Sequence, residues 1–417
     1  MDTRRRGIAV DRRARWLIPA GAWMLMAFVT SRVQDVSYRV TRDHVPFRWT
    51  MLVDGGFTRL GKVAWDSGFY LAIAEEGYVT GQDREAAFPG YALAIRAARN
   101  LTGDAQLAAM WISAASGLAA ALLFWSWLEL RQRPFSERLV AFGLFLLYPY
   151  GFLMFGVVYS DSFLLASVLA ALLLVERQHY LAAGLAGALA TFTRPNSLIL
   201  VGALLLLALE RSGVLLVPAP RAGTSWSPRR LGRNGWTFLR NLRIDRDRFE
   251  PRIALVLVSL AGVGAYSVWL AARSGDPFYF WTVQRAYGHR PLTDPLTWIK
   301  ANVFLLHGIV NQPIDVVNEI VSFGLLVGTT LVTPTVGRRF GWGYALLLFG
   351  LVVTTWGTAQ WFAPSGRYLL PAVPVLAALA APWLVRRRLV AGVVLAIFAA
   401  SSLALAAGFA GAFDINW

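Results

Sequence analysis

Apolar runs long enough to cross a lipid bilayer recur along this chain from Trp16 to its end. A spanning helix needs roughly 20 mostly apolar residues, because each backbone polar group inside the hydrocarbon must bond within its own helix. Of the 417 residues, 56% are hydrophobic and only 15% are charged. No soluble domain of ordinary size fits between the runs. The sequence therefore predicts an all-α integral membrane protein that forms a single membrane domain over residues 1–417.

The basic residues indicate how the chain is oriented. Lysines and arginines total 40 against 24 acidic residues, a formal net charge of +16, and they crowd into short segments beside apolar runs, as in cytoplasmic loops. A nucleic-acid partner would need basic residues on a soluble module with base-stacking aromatic side chains, and no such module is present. We therefore interpret the charge as a topology signal, with binding of anionic membrane lipids as a second consequence. The arginine-rich N-terminus is predicted to be cytoplasmic.

When successive connections are assigned alternately to the inner and outer sides of the membrane, the chain has about eleven predicted spans. They are predicted at residues 16–30, 106–130, 139–157, 161–175, 180–192, 197–209, 253–272, 314–334, 341–355, 368–385 and 389–409. The long connections are an outer loop at 31–104, a basic inner loop at 211–252 and a second outer loop at 273–312. The inner loop interleaves arginines with Trp226, Trp236 and Phe238. It is interpreted either as an interfacial helix on anionic headgroups or as a solvated basic connector.

The densest polar and aromatic stretch on the predicted outer side is residues 63–78, which contains Trp-Asp-Ser-Gly-Phe-Tyr at 65–70. It predicts a short helix from Ala64 to Glu76, closed by Gly77 in a left-handed conformation. On this helix Asp66 and Tyr70 share a stripe, so a carboxylate lies among aromatic rings at the membrane surface. Asp66 then either caps the N-terminus of the helix or belongs to a functional site.

This stretch resembles the signature of the PIG-V mannosyltransferases, a family of the GT-C superfamily of multi-spanning glycosyltransferases. The resemblance covers residues 65–70, Ile-Ala at 73–74, Gly-Tyr at 77–78 and Glu-Ala-Ala-Phe-Pro-Gly-Tyr at 85–91. Weaker similarity extends to 159–162, 193–196, 275–290 and 367–371. One departure is Ala87, where the family usually has phenylalanine. The resemblance implies a GT-C-like fold with short interfacial helices at the outer face.

The resemblance also implies a reaction. Such enzymes transfer a hexose, here expected to be mannose, from a polyprenyl-phosphate donor to a lipid or glycan acceptor, with inversion, at the extracytoplasmic face. It implies that Asp66 is the catalytic base. Arg194, Arg290 and Arg367 lie on predicted outer turns and are candidates to bind the leaving phosphate, since guanidinium groups suit oxyanions. Alternatively, each extends from the end of a span to the interface. No metal or other cofactor is expected, because arginines can neutralise the phosphate and the lipid-linked sugar is a co-substrate.

Further residues are predicted to bind substrate: Trp65, Tyr70, Glu85, Asp161, His289, His307 and Tyr368. Glu85 and Asp161 have an alternative role as partners of neighbouring arginines. His289 and His307 lie on separate outer elements without a clear carboxylate between them, which is a weak ligand set for a metal. We interpret each histidine either as structural or as a residue that forms a hydrogen bond with the substrate.

Two other classes of function stay open. A transporter or flippase of lipid-linked sugars would place its polar residues near the bilayer midplane on broken helices. A non-catalytic relative would act as a partner subunit. Lysine occurs only at positions 62 and 300, and alanine is abundant, which is typical of a GC-rich bacterial genome. The predicted location is a bacterial plasma membrane.

Overall fold

The computed structural model describes residues 14–41, 62–63, 66–79, 84–131, 134–216, 243–286, 313–358, 365–380 and 382–411. The α-helices among them are α1 (Ala14–Thr41), α2 (Ser67–Glu76), α3 (Pro89–Thr102), α4 (Ala105–Arg131), α5 (Phe135–Leu146), α6 (Asp161–Glu176), α7 (Tyr180–Thr193), α8 (Leu198–Arg211), α9 (Ala261–Ser274), α10 (Tyr279–Ala286), α11 (Pro313–Phe340), α12 (Trp342–Thr358), α13 (Ser365–Tyr368), α14 (Pro374–Leu379), α15 (Pro382–Arg386) and α16 (Arg388–Ala410). Single 3-10 helices cover Arg84–Ala86, Gly151–Met154, Pro195–Ser197, Arg246–Arg248 and Pro251–Leu260.

Within the described part of the chain, 5 helical segments are long and apolar enough to cross a membrane. They are Trp16–Thr41, Ala105–Arg131, Pro251–Ser274, Val316–Phe340 and Arg388–Ala410. This confirms an all-α protein with several membrane-spanning helices. The predicted spans at 161–175, 180–192 and 197–209 coincide with helices of 16, 14 and 14 residues, whereas the span predicted at 139–157 only overlaps α5, which ends at Leu146 after 12 residues. These are shorter than the roughly 20 residues that one straight crossing needs.

Two further predicted boundaries are wrong. Helix α1 continues to Thr41, so the segment predicted as an outer loop at 31–104 begins inside a helix, and α2 and α3 lie further along it. The continuous span predicted at 368–385 is instead divided among α13, α14 and α15. Pro371, Pro374 and Pro382 lie in this stretch, and each proline lacks the N–H that a continuous helix requires. The apolar composition predicted helix in this stretch, but the prolines divide it into short helices.

The other long connections are described only at their ends. Within the basic inner loop predicted at 211–252, Leu215–Leu216 pairs antiparallel with Arg243–Ile244, while residues 217–242, which contain Trp226, Trp236 and Phe238, lie outside the described residues. In the second outer segment, α9 ends at Ser274, and Gly275 adopts a left-handed conformation that allows the chain to turn into α10. Residues 287–312 lie outside the described part.

The helices bury an apolar core between two polar clusters. Helix α6 packs against α4 and α7, and α12 packs against α8 and α11. At the C-terminal end of α6, Glu176 accepts hydrogen bonds from Arg131, from Arg211 Nε at 2.7 Å and from the Tyr344 hydroxyl at 2.7 Å. At the N-terminal end of the same 16-residue helix is Asp161, about 22 Å away along the axis. The residues discussed next gather around Asp161.

Candidate active site

The Asp66 side chain forms an ion pair and does not cap α2. The backbone of Asp66 is itself helical, and its carboxylate accepts no hydrogen bond from the first turn of α2. Instead, Oδ2 accepts a hydrogen bond from Arg367 Nη1 at 3.1 Å. At the other end of α2, Gly77 has the expected positive φ of 85°, but its ψ of −163° lies outside the left-handed helical region. The structure thus gives the Asp66 carboxylate an electrostatic role rather than the helix-cap role.

The start of α2 is attached to the turn that precedes α6. The Ser67 hydroxyl donates to the Val158 carbonyl at 2.8 Å, and the Val158 N–H donates to the Lys62 carbonyl at 2.9 Å. The Asp66 N–H donates to the Tyr159 hydroxyl at 3.1 Å. Because these bonds hold the backbone on both sides of the site, they fix where the Asp66 carboxylate lies.

Lys62 fixes the same segment to α1. Its buried Nζ donates to Gln34 Oε1 at 2.6 Å and to the Phe155 carbonyl at 2.8 Å. Burial lowers the pKa of Lys62 to about 7, since desolvation disfavours the charged ammonium. Lys62 is not among the predicted site residues, although it is one of the two lysines among 40 basic residues. It is a positioning residue that connects α1 to the segment carrying Asp66.

A second ion pair of the site, between Arg194 and Asp161, is buried. Arg194 donates from Nη1 to Asp161 Oδ1 at 2.9 Å and from Nη2 to Oδ2 at 2.5 Å. Its Nε donates to Ser160 Oγ at 3.1 Å, and Ser160 Oγ is 2.9 Å from the Tyr70 hydroxyl. Burial raises the pKa of Tyr70, so its hydroxyl stays neutral. Asp161 is therefore the charge partner of Arg194, and the pair orients Ser160 and Tyr70.

Arg367 is held in place through Gly366. The Gly366 carbonyl accepts a hydrogen bond from the Tyr148 hydroxyl at 2.8 Å, and its N–H donates to Ser322 Oγ at 3.3 Å. A Cβ atom at Gly366 would lie 2.0 Å from the Tyr150 ring. The position therefore accepts only glycine, and the turn that carries Arg367 is fixed against α11 and the turn after α5.

Replacement of Gly366 by alanine is expected to destabilise the protein by about 1–3 kcal/mol, the usual cost of overpacking a filled interior. The added methyl group must push the Tyr150 ring or the Arg367 turn aside. Thermal unfolding of the purified protein in detergent micelles measures the effect. Gly68→Ala is the matched control, because no atom of the described residues lies within 4 Å of a Cβ at Gly68. Equal melting temperatures for the two variants would contradict the close contact with Tyr150.

The Arg367 guanidinium lies between aromatic rings. Its central carbon is 5.1 Å from the centroid of the Tyr159 ring and 5.2 Å from that of Tyr368. The Arg194 guanidinium lies 6.0 Å from the same Tyr368 ring. Tyr368 thus connects the two arginines. Asp66 and Arg367, which are 301 positions apart in the sequence, are in contact here. Six of the predicted site residues lie together and are called the Asp66 cluster: Asp66, Tyr70, Asp161, Arg194, Arg367 and Tyr368.

Glu85 lies apart from this cluster. Its backbone carbonyl accepts a hydrogen bond from the Tyr266 hydroxyl at 2.8 Å, and its carboxylate is 3.9 Å from Arg273 Nε. Gln284 Nε2 donates to the neighbouring Ala86 carbonyl at 3.1 Å. The Arg84–Ala86 turn therefore attaches α9 and α10 to the outer segment. Its glutamate faces an arginine, as in the second of the two roles considered for it.

Four predicted residues lie outside the described part of the chain: Trp65, His289, Arg290 and His307. Among the residues that are described, no three or more histidine, aspartate or glutamate side chains are grouped so that they could hold a metal ion.

Sequence reasoning missed Glu319, which is buried on α11 and within electrostatic range of the Tyr150 hydroxyl, as is Arg367. The signal that could have found it is a carboxylate inside an apolar span predicted at 314–334.

The chain was compared with known proteins, and no family model, curated protein or solved structure matches it. The resemblance to the PIG-V mannosyltransferases therefore rests on the sequence segments alone.

Proposed function

We propose that this protein is a GT-C-like membrane glycosyltransferase with about eleven spans, which moves a hexose, mannose in our proposal, from a polyprenyl-phosphate donor to a lipid or glycan acceptor. The proposed location is a bacterial plasma membrane, with the N-terminus in the cytoplasm and the active site at the extracytoplasmic face. The observation that carries the proposal is the Asp66–Arg367 pair. An accessible carboxylate, whose side chain is 41% exposed, lies against a cation that is 7% exposed. Base and phosphate ligand are thus adjacent.

The proposed reaction uses the two charges in turn. The acceptor hydroxyl oxygen attacks the anomeric carbon of the donor while Asp66 takes the hydroxyl proton. The bond from the anomeric carbon to the phosphate oxygen breaks on the opposite face, which inverts the configuration. The bonding electrons leave with the polyprenyl phosphate, whose oxygens are held by Arg367. No cofactor enters this reaction.

The roles of the other residues follow from their contacts. Arg194 is compensated by Asp161, so we assign it to orienting Ser160 and Tyr70 rather than to the phosphate. Tyr70 and Tyr368 are proposed to contact the sugar, because both adjoin the ion pairs. Trp65, His289, Arg290 and His307 remain proposed substrate ligands, with Arg290 as the second phosphate ligand. Glu85 is proposed to act on the acceptor side from the Arg84–Ala86 turn.

The proposed location of the cluster distinguishes a transferase from a transporter. A transporter concentrates polar groups near the bilayer midplane. Asp66, Asp161 and Arg194 adjoin helix ends and Arg367 lies in the four-residue helix α13, and the proposal places all four at the extracytoplasmic surface.

The test is transfer of labelled mannose by the purified protein from defined polyprenyl-phosphate mannose to lipid and glycan acceptors. We expect an acceptor-linked label and release of polyprenyl phosphate in equal amounts. Glucosyl and galactosyl donors run in parallel identify the sugar. The proposal is contradicted if intact lipid-linked sugar is carried across proteoliposome membranes while no donor supports transfer.

A further inference from the structure

The buried amine of Lys62 has two hydrogen-bond acceptors among the described residues, and both are uncharged. Nζ donates to Gln34 Oε1 on α1 at 2.6 Å and to the Phe155 carbonyl at 2.8 Å, and Lys62 is only 2% exposed. An ammonium group has three N–H donors, whereas a neutral amine has two. The acceptors therefore match the neutral amine, and an ammonium would keep one buried donor unsatisfied.

The α1 side of Lys62 offers neither a third acceptor nor a compensating charge within the described part of the chain. The amide nitrogen of Gln34 is buried without a hydrogen-bond partner there, although any acceptor nearby would satisfy it. Asp35 is already bonded to Arg39 Nε at 2.9 Å. Helices α4 and α16 also pack against α1, and their charged residues lie at helix ends: Glu129, Arg131 and Arg388.

The opposite side of Lys62 is uncharged as well. The turn at 147–158, which contains Phe155, has no charged residue, and burial raises the pKa of the Tyr159 hydroxyl, which keeps it neutral. Asp66 is bonded to Arg367. Burial therefore lowers the pKa of Lys62 to about 7, since no described charge opposes the desolvation. A buried cation without a partner is costly.

We propose that Lys62 attaches the segment that carries Asp66 to α1 as an uncharged amine, so that the attachment loosens as the pH falls. In the detached segment the amine reaches water and keeps its proton up to about pH 10.4, as lysine ordinarily does. Protons therefore favour the detached form. From about pH 10 down to the lower pKa of the attached lysine, the detached fraction rises about tenfold per pH unit, and below that pKa it levels off. The backbone around Asp66 is thus held more firmly in alkaline than in neutral medium.

Carbon-13 NMR of the lysine ε-carbon in detergent micelles tests for the uncharged amine directly. Lysine occurs only at positions 62 and 300, so Lys300→Arg in the full chain leaves one signal, from Lys62. Its titration midpoint is expected at about pH 7 in the folded protein and at about pH 10.4 after denaturation. Gln34→Glu places a carboxylate at the amine and is expected to raise the midpoint by about one pH unit or more.

The control for Gln34→Glu is Gln178→Glu, which makes the same chemical change at an exposed residue just beyond α6. It is expected to leave the midpoint of Lys62 unchanged. A midpoint of about pH 10 in the folded protein would overturn the proposal, as would equal midpoints in the two glutamate variants.

Hydrogen–deuterium exchange of the peptide that spans 62–70, corrected for the intrinsic exchange rate, tests the loosening. Protection in the wild type is expected to fall about tenfold from pH 9 to pH 8. No fall is expected for Lys62→Met, which has no amine to titrate, and a smaller one for Gln34→Glu. A flat wild-type profile, or the same fall in Lys62→Met, would contradict the proposal. Neither measurement uses a sugar donor, so both results are independent of the proposed transferase.

Discussion

The Asp66→Asn variant is expected to transfer mannose about 10²- to 10⁴-fold more slowly than the wild type, the range associated with loss of a general base. The amide keeps the shape of the carboxylate but cannot take a proton from the acceptor hydroxyl. Since Arg367 still holds the leaving phosphate, the loss falls on kcat rather than on donor binding. Turnover at saturating donor and acceptor, measured as label transferred per enzyme per second, checks it.

The matched control for this activity is Glu75→Gln on α2. Its carboxylate is exposed near the end of the helix, so its removal changes the net charge in the same way without touching the ion pair. Wild-type turnover is expected for it. Turnover of Asp66→Asn equal to that of Glu75→Gln would remove Asp66 as the base.

The Asp161→Asn variant is expected to lose about 3–5 kcal/mol of stability, because it leaves the buried Arg194 charge without compensation. Both hydrogen bonds from the terminal nitrogens of Arg194 end on this carboxylate. The neutral amide offers one acceptor in place of two charged ones. The free energy of unfolding, from denaturant titration in detergent micelles, measures the effect. A lowered apparent melting temperature is expected in parallel.

An exposed ion pair of the same chain supplies the control. Arg248 and Asp245 lie 3.0 Å apart with side chains 60% and 31% exposed, and such pairs contribute less than about 1 kcal/mol. Asp245→Asn is therefore expected to have little effect. Combining Asp161→Asn with Arg194→Gln should recover part of the loss, because the uncompensated charge is then removed. A stability for Asp161→Asn within error of that of Asp245→Asn would show that the pair is not a buried charge pair.

The sequence predicted where the helices lie because apolar runs report burial in lipid or core directly. It failed at residues 368–385, where composition is apolar but the three prolines divide the helix. It was close at 161–175, 180–192 and 197–209, where the helices have 16, 14 and 14 residues, but it did not anticipate that α5 ends at Leu146 inside the span predicted at 139–157. Whether a short apolar helix crosses a membrane depends on neighbours that extend it, and a window of sequence does not contain those neighbours.

The sequence predicted which residues belong to the candidate site better than it predicted which of them contact each other. The predicted alternation of spans places the turns at Asp66, Asp161, Arg194 and Arg367 on one side, and these residues do lie together in the structure. Local periodicity left Asp66 as a cap or a functional carboxylate, since the arginine it contacts is 301 residues away. Lys62, Ser322 and Gly366 were missed for the same reason. Each is defined by a partner on another helix, and helix packing brings the partners together.

The most direct measurement of the central claim is photo-crosslinking with a polyprenyl-phosphate mannose that carries a photoreactive group next to its phosphate, followed by mass spectrometry of the modified peptides. The proposed site predicts crosslinks to α2, to the turn at 158–161 and to the segment that carries Arg367. Excess unlabelled polyprenyl phosphate should abolish them. Crosslinks confined to the opposite end of the helices, around Arg131, Glu176 and Arg211, would contradict the account.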